Sequence, residues 1–91
     1  MKESIIEPHA VKCYICGSYR DLQTHHVLHG TSMRRKADED GLTVKLCARC
    51  HADLHDRGEG DKLLQQVGQW HWEKTYGDRE AFRRRYGKSY L

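Results

Sequence analysis

The sequence predicts a small α+β domain: two short strands and a helix held together by a metal staple, then a helical C-terminal extension. Three observations carry that expectation. Two Cys-x2-Cys pairs, Cys13/Cys16 and Cys47/Cys50, are separated by residues 17–46. The run Leu42-Thr43-Val44-Lys45-Leu46 alternates apolar and polar residues at period two, as a half-buried strand does, and leads straight into the second pair. Behind it, His51 and His55 stand at the i, i+4 spacing that places both on one helical face.

The 91 residues suffice for one domain, and chains this short bury only modest apolar surface. With 37% apolar and 32% charged residues the core must be thin, and metal ions commonly compensate for that in small scaffolds. The opening Met1-Lys2-Glu3-Ser4-Ile5-Ile6-Glu7-Pro8 has no long apolar run, and no stretch reaches transmembrane length. A reducing, cytoplasmic setting without membrane insertion is therefore expected, and there paired Cys-x2-Cys motifs indicate zinc rather than disulfides. The net charge of +3 is too mild to indicate nucleic-acid binding by itself. Basic residues do gather at Met33-Arg34-Arg35-Lys36 and again at Arg83-Arg84-Arg85.

Along the chain, residues 1–12 form a lead-in, with Pro8 discouraging a helix. Residues 13–57 form the metal-stapled core, beginning with a knuckle at Cys13-Tyr14-Ile15-Cys16-Gly17, where the glycine permits a tight turn. Residues 22–28 fit a short strand. Residues 29–41 are polar and rich in charge, and read as a loop. Residues 42–46 form the second strand and residues 51–56 a helix, stopped by Arg57-Gly58-Glu59-Gly60. Residues 61–91 supply the C-terminal helices and a basic tail. Asp61 caps a helix whose Leu63, Leu64, Val67, Trp70 and His71 recur at helical spacing as a buried stripe. Asp78 caps a last short helix carrying Phe82 and Tyr86, and Gly87-Lys88-Ser89-Tyr90-Leu91 forms the tail.

The cysteines supply one complete ligand set. Zinc prefers four tetrahedral thiolate or imidazole ligands, and Cys13, Cys16, Cys47 and Cys50 meet that preference as a structural Zn2+ site. A site built from Cys47, Cys50, His51 and His55 is too local to close a tetrahedron comfortably, and would leave Cys13 and Cys16 idle. The histidines then form a second set. His51 and His55 provide two imidazoles from one helix, and one member of the His25-His26 pair can provide a third. Strand neighbours point to opposite faces, so the other member stays free to act as a general base.

These blocks, Thr24-His25-His26-Val27 and Gly41-Leu42-Thr43-Val44-Lys45-Leu46-Cys47-Ala48-Arg49-Cys50-His51-Ala52-Asp53-Leu54-His55, resemble an HNH endonuclease domain of the ββα-metal (His-Me finger) fold, in its zinc-stapled branch. The C-terminal stretches 69–77 and 86–91 are similar to the tails of small phage-type HNH proteins. The resemblance implies that His25, His51 and His55 hold a catalytic divalent metal (Mg2+, Mn2+, Zn2+ or Ni2+) and that His26 is the base activating water. It further implies that the metal contacts the scissile phosphate of duplex or branched DNA, with backbone contacts and weak sequence specificity. Two copies would pair where both strands are cut. One position departs from the family: its middle Asn, which orients the base, is absent, since the chain contains no Asn. Asp40, in the equivalent stretch, is the first candidate for that role and His29 the second. The competing reading is a non-catalytic, zinc-stabilised DNA- or protein-binding module.

Overall fold

The computed structural model describes residues 3–58 and 60–91. Among them are two strands and four helices: β1 (Leu22–His26), α1 (Thr31–Asp40), β2 (Thr43–Cys47), α2 (Ala48–Arg57), α3 (Asp61–Thr75) and α4 (Arg79–Tyr86). The strands pair antiparallel, with Leu22 opposite Cys47, His25 opposite Val44 and His26 opposite Thr43. Helix α2 packs against both strands, α1 against β1, and α3 against α4. The shared core includes Val27, Leu28, Leu42, Val44, Leu46, Leu64, Trp72 and Phe82. No helix among the described residues is long and apolar enough to cross a membrane.

β2 is more deeply covered than a half-buried strand. All of its residues but Lys45 are buried, because the N-terminal segment runs along it. Ile5 N donates to Gly41 O at 2.9 Å and Tyr14 N to Lys45 O at 2.8 Å. Ser4 Oγ donates to Thr43 O, and Lys45 N donates to the Glu7 carboxylate at 2.7 Å. Burial raises the Glu7 pKa, partly offset by Lys45. The lead-in thus satisfies backbone groups that a two-stranded sheet would otherwise leave open at its edge.

Residues 31–40, expected as loop, are helical. Charge hid the helix: α1 has no acidic residue in its first turn and no basic residue in its last, so its charges oppose the helix dipole. Packing overrides that. Ala37 and Asp40 are buried and Met33 packs against the core. Gly41, in left-handed conformation at φ 76°, ends the helix; a Cβ there would stand 2.5 Å from Glu3 O.

In α3 the buried face is Leu64, Gly68, Gln69 and Trp72, with Val67 beside it. Leu63 and Trp70, assigned to the stripe from their apolarity, are exposed. The face turns on Gly68, where an added Cβ would meet Val27 Cγ2 at 2.6 Å. The absence of a side chain there lets α3 lie close against the residue that follows β1. Trp70 instead lies under Lys74 Nζ, 4.2 Å from the ring centroid. The tail is anchored: buried Gln69 donates to Ser89 Oγ at 2.9 Å and accepts from Tyr90 N at 2.6 Å. Asp78 caps α4 through Ala81 N at 2.9 Å, and both Phe82 and Tyr86 are buried.

Candidate functional site

The first cluster joins two ends of the core. The Sγ atoms of Cys13, Cys16, Cys47 and Cys50 all lie within 4.8 Å of one another. Each pair forms a knuckle in which a backbone amide approaches the first sulfur: Cys16 N to Cys13 Sγ at 3.5 Å and Cys50 N to Cys47 Sγ at 3.5 Å. Gly17, at φ 80°, closes the first turn, donating to Cys13 O at 3.0 Å. The second knuckle needs no glycine, because Cys47 is also the N-cap of α2. Cys16 Sγ and Cys47 Sγ stand 3.7 Å apart, close to the edge of about 3.8 Å of a tetrahedron with zinc–sulfur distances of about 2.3 Å. Burial raises the Cys13 thiol, but amides of Cys16, Cys47 and Ile15 outweigh it and bring the pKa down to about 6, toward the thiolate a metal requires. The four cysteines therefore form one potential metal site, and Cys47 and Cys50 do not share a site with His51 and His55.

The second cluster is built from imidazoles. β1 presents His25 inward, 2% exposed, while α2 presents His51 and His55 toward it, and ligand atoms of all three lie within 4.8 Å of one another. The His51 and His55 rings sit 4.6 Å apart between centroids, and their Nε2 atoms are 3.0 Å apart. His51 Nδ1 faces Gln23 Oε1 at 2.5 Å; an N–H donated there leaves the Nε2 lone pair free for a ligand. His25 Nε2 is buried and has no hydrogen-bond partner among the described residues. Buried polar nitrogens are normally satisfied, so this atom fits a metal ligand. Burial, reinforced by His29, His51 and His55 and opposed by Asp61, lowers the His25 pKa to about 4, and burial, followed by His55 and His29, lowers that of His51. Both shifts favour the neutral imidazole that binds metals.

His26 lies beside this group, on the rim of the same cavity of about 750 Å3. Its Nε2 is 3.0 Å from Asp38 Oδ1 on α1. The expected partner, Asp40, is elsewhere: its carboxylate accepts from Trp72 Nε1 at 2.8 Å, Tyr86 OH at 2.6 Å and Arg85 Nε at 2.6 Å. Asp40 is thus a packing hub joining α1 to α3 and α4, and the expectation that it pairs with His26 is corrected: the carboxylate beside His26 is that of Asp38. The two residues are less than one helical turn apart, and helix geometry sends them to different sides. His29, the second candidate partner, faces Asp61 Oδ1 at 2.5 Å and stacks near His25, with ring centroids 5.1 Å apart.

No family model, curated protein or solved structure matches this chain.

The residues form a four-sulfur cluster, a three-imidazole cluster to which β1 gives His25 and α2 gives His51 and His55, and a histidine–carboxylate pair at the cavity rim. Arg34 lines the cavity with His26, and Arg35 joins Arg34 beside Asp38 in an adjoining depression. Sequence reasoning missed Asp38 and Gln23. Gln23 is two residues before His25 and so on the same face of β1, which is the one sequence signal that pointed to it. Of the C-terminal basic residues, Arg85 is committed to Asp40 and Glu39, leaving Arg83 and Arg84 exposed on α4.

Proposed function

We propose that this domain is a metal-dependent DNA endonuclease that hydrolyses phosphodiester bonds with weak sequence specificity, as the resemblance to HNH domains implies. The observation that carries the reading is His26, paired with Asp38 and lining the cavity that also holds His25, His51 and His55. With its Nε2–H donated to Asp38, His26 keeps a lone pair on Nδ1, the atom that accepts a proton from the attacking water. Asp38 holds the ring's tautomer and stabilises the imidazolium that results. His25, His51 and His55 would hold a divalent ion, and Cys13, Cys16, Cys47 and Cys50 a structural Zn2+. When bound at the histidines, the ion supplies charge neutralisation at the scissile phosphate and the leaving 3′ oxygen. Arg34 and Arg35 stand where they can take flanking phosphates of the backbone.

A non-catalytic binding module is the second reading. It is favoured by the apolar groove where Tyr14, Ile15 and Leu63 meet, all exposed. One experiment separates the two: cleavage of supercoiled plasmid across divalent metals, with chelator controls. His26→Ala is expected to lower the rate by about 10²–10⁴, the usual contribution of a general base, and Asp38→Asn by about tenfold or more, with the fold retained. Metal-independent or undiminished cleavage by His26→Ala would discard the endonuclease mechanism, and complete inactivity of the parent with every metal would favour the binding module.

A further inference from the structure

The three-imidazole set does not account for everything gathered around His25. His29, on the turn after β1, brings its ring within 5.1 Å of His25 and 5.9 Å of His55, centroid to centroid. Asp61, the first residue of α3, lies against it, with Oδ1 2.5 Å from His29 Nε2. Ligand atoms of His25, His29 and Asp61 fall within 4.8 Å of one another, as do those of His25, His51 and His55. The two triads meet at His25, whose buried Nε2 has no hydrogen-bond partner among the described residues. A single imidazole nitrogen has one lone pair and serves one ion. The two triads form separate sets of ligand atoms that share His25, so an ion held on that nitrogen can draw its remaining ligands from both.

We propose that His29 is a fourth imidazole ligand of this metal centre, oriented by Asp61, and that the centre takes a borderline transition-metal ion such as Zn2+, Co2+ or Ni2+ in preference to Mg2+. The proposal rests on the reading of His25, His51 and His55 as metal ligands. The Nε2–H of His29 donated to Asp61 leaves Nδ1 as the ligand atom, the carboxylate–histidine–metal pattern that fixes ring orientation and increases ligand basicity. Four nitrogen donors suit zinc, cobalt and nickel, which can take more than four ligands and so still admit a phosphate oxygen, whereas magnesium demands oxygen ligands and keeps its waters. The ligands come from β1, the turn after it and α2, and Asp61 adds α3, so the ion also ties the C-terminal helices to the hairpin.

The test is Co2+ titration of the full chain preloaded with one equivalent of Zn2+, followed by calorimetry and by visible absorption, without DNA. The parent should take up a second equivalent that tenfold molar excesses of Mg2+ do not displace. His29→Ala should weaken that second equivalent about 100-fold and change the cobalt bands, and Asp61→Asn should weaken it about ten- to hundredfold. Circular dichroism verifies that each variant is folded, and Asp61→Asn, which keeps the side chain's shape, serves if His29→Ala is not. Unchanged affinity and bands in both variants would overturn the role of His29 while leaving the three-histidine site standing. A parent that takes up no second equivalent would overturn the metal centre itself, and a parent readily displaced by Mg2+ would overturn the metal preference.

Discussion

Replacing Asp40 with alanine should unfold the contact between α1 and the C-terminal helices rather than act on chemistry. The carboxylate accepts from Trp72 Nε1 and Tyr86 OH, both on buried residues, and from Arg85 Nε. Alanine leaves the indole N–H and the phenol O–H without acceptors, and each orphaned buried donor costs about 1–3 kcal/mol. Arg85 is one-third exposed at its side chain, so water takes over much of that bond. The expected loss is about 4 kcal/mol, a large share of the roughly 5–15 kcal/mol that stabilises a domain of this kind. For a urea m-value of about 1–3 kcal/mol/M this moves the midpoint down by about 2 M. Asp40→Asn keeps an acceptor oxygen but loses the charge, and should fall between. The assay is urea denaturation of zinc-loaded protein, read by the fluorescence of Trp72 and Trp70 and by circular dichroism. A midpoint within about 0.3 M of the parent would refute the packing role, and if cleavage were lost at that unchanged midpoint, Asp40 would return to the catalytic site.

Cys13→Ser should abolish the cooperative thermal transition. Structural zinc contributes about 10–16 kcal/mol of apparent folding energy in small peptides, comparable to the whole stability of a small domain; a parent-like melting curve would show that the sulfur cluster is not a staple. Stability should fall above about pH 10. Burial, and then the carboxylate of Asp40, raise the Tyr86 pKa above its ordinary 10.0. Above that value the unfolded chain has lost a proton that the native one keeps, at about 1.4 kcal/mol per pH unit. Tyr86→Phe should remove this share of the alkaline slope, and an identical slope in that variant would exclude Tyr86 as its source.

What could be read in the sequence was whatever a short-range pattern encodes. The first knuckle lies ahead of β1, and the period-two run into Cys47, the second knuckle and the His51/His55 spacing lie on β2 and α2, where the patterns put them. The hidden parts depend on packing. α1 was illegible because its charges run against the helix dipole and its stability comes from Met33, Ala37 and Asp40 lying on the core. Because α1 read as loop, Asp38 could not be paired with His26, and the neighbouring Asp40 took its place. The face of α3 was misjudged because apolarity favoured Leu63 and Trp70, whereas close approach at Gly68 decides which residues are covered. His29 and Asp61 gave no joint signal, since they are far apart in sequence and meet only when α3 folds back.

The pairing of β1 and β2 carries more than shape. Sliding one strand by a single residue reverses every side chain on it, and here that would put His26 inside the imidazole cluster and His25 outside. A two-stranded ribbon has little of its own to forbid such an error. At the far end of the ladder, Leu22 faces Cys47, a residue the sulfur cluster holds in place together with the knuckle that bonds to Lys45 O. A metal fastened there would act as a proofreader of alignment, fixing by position alone which of two adjacent, chemically identical histidines is buried among the ligands and which is left at the rim.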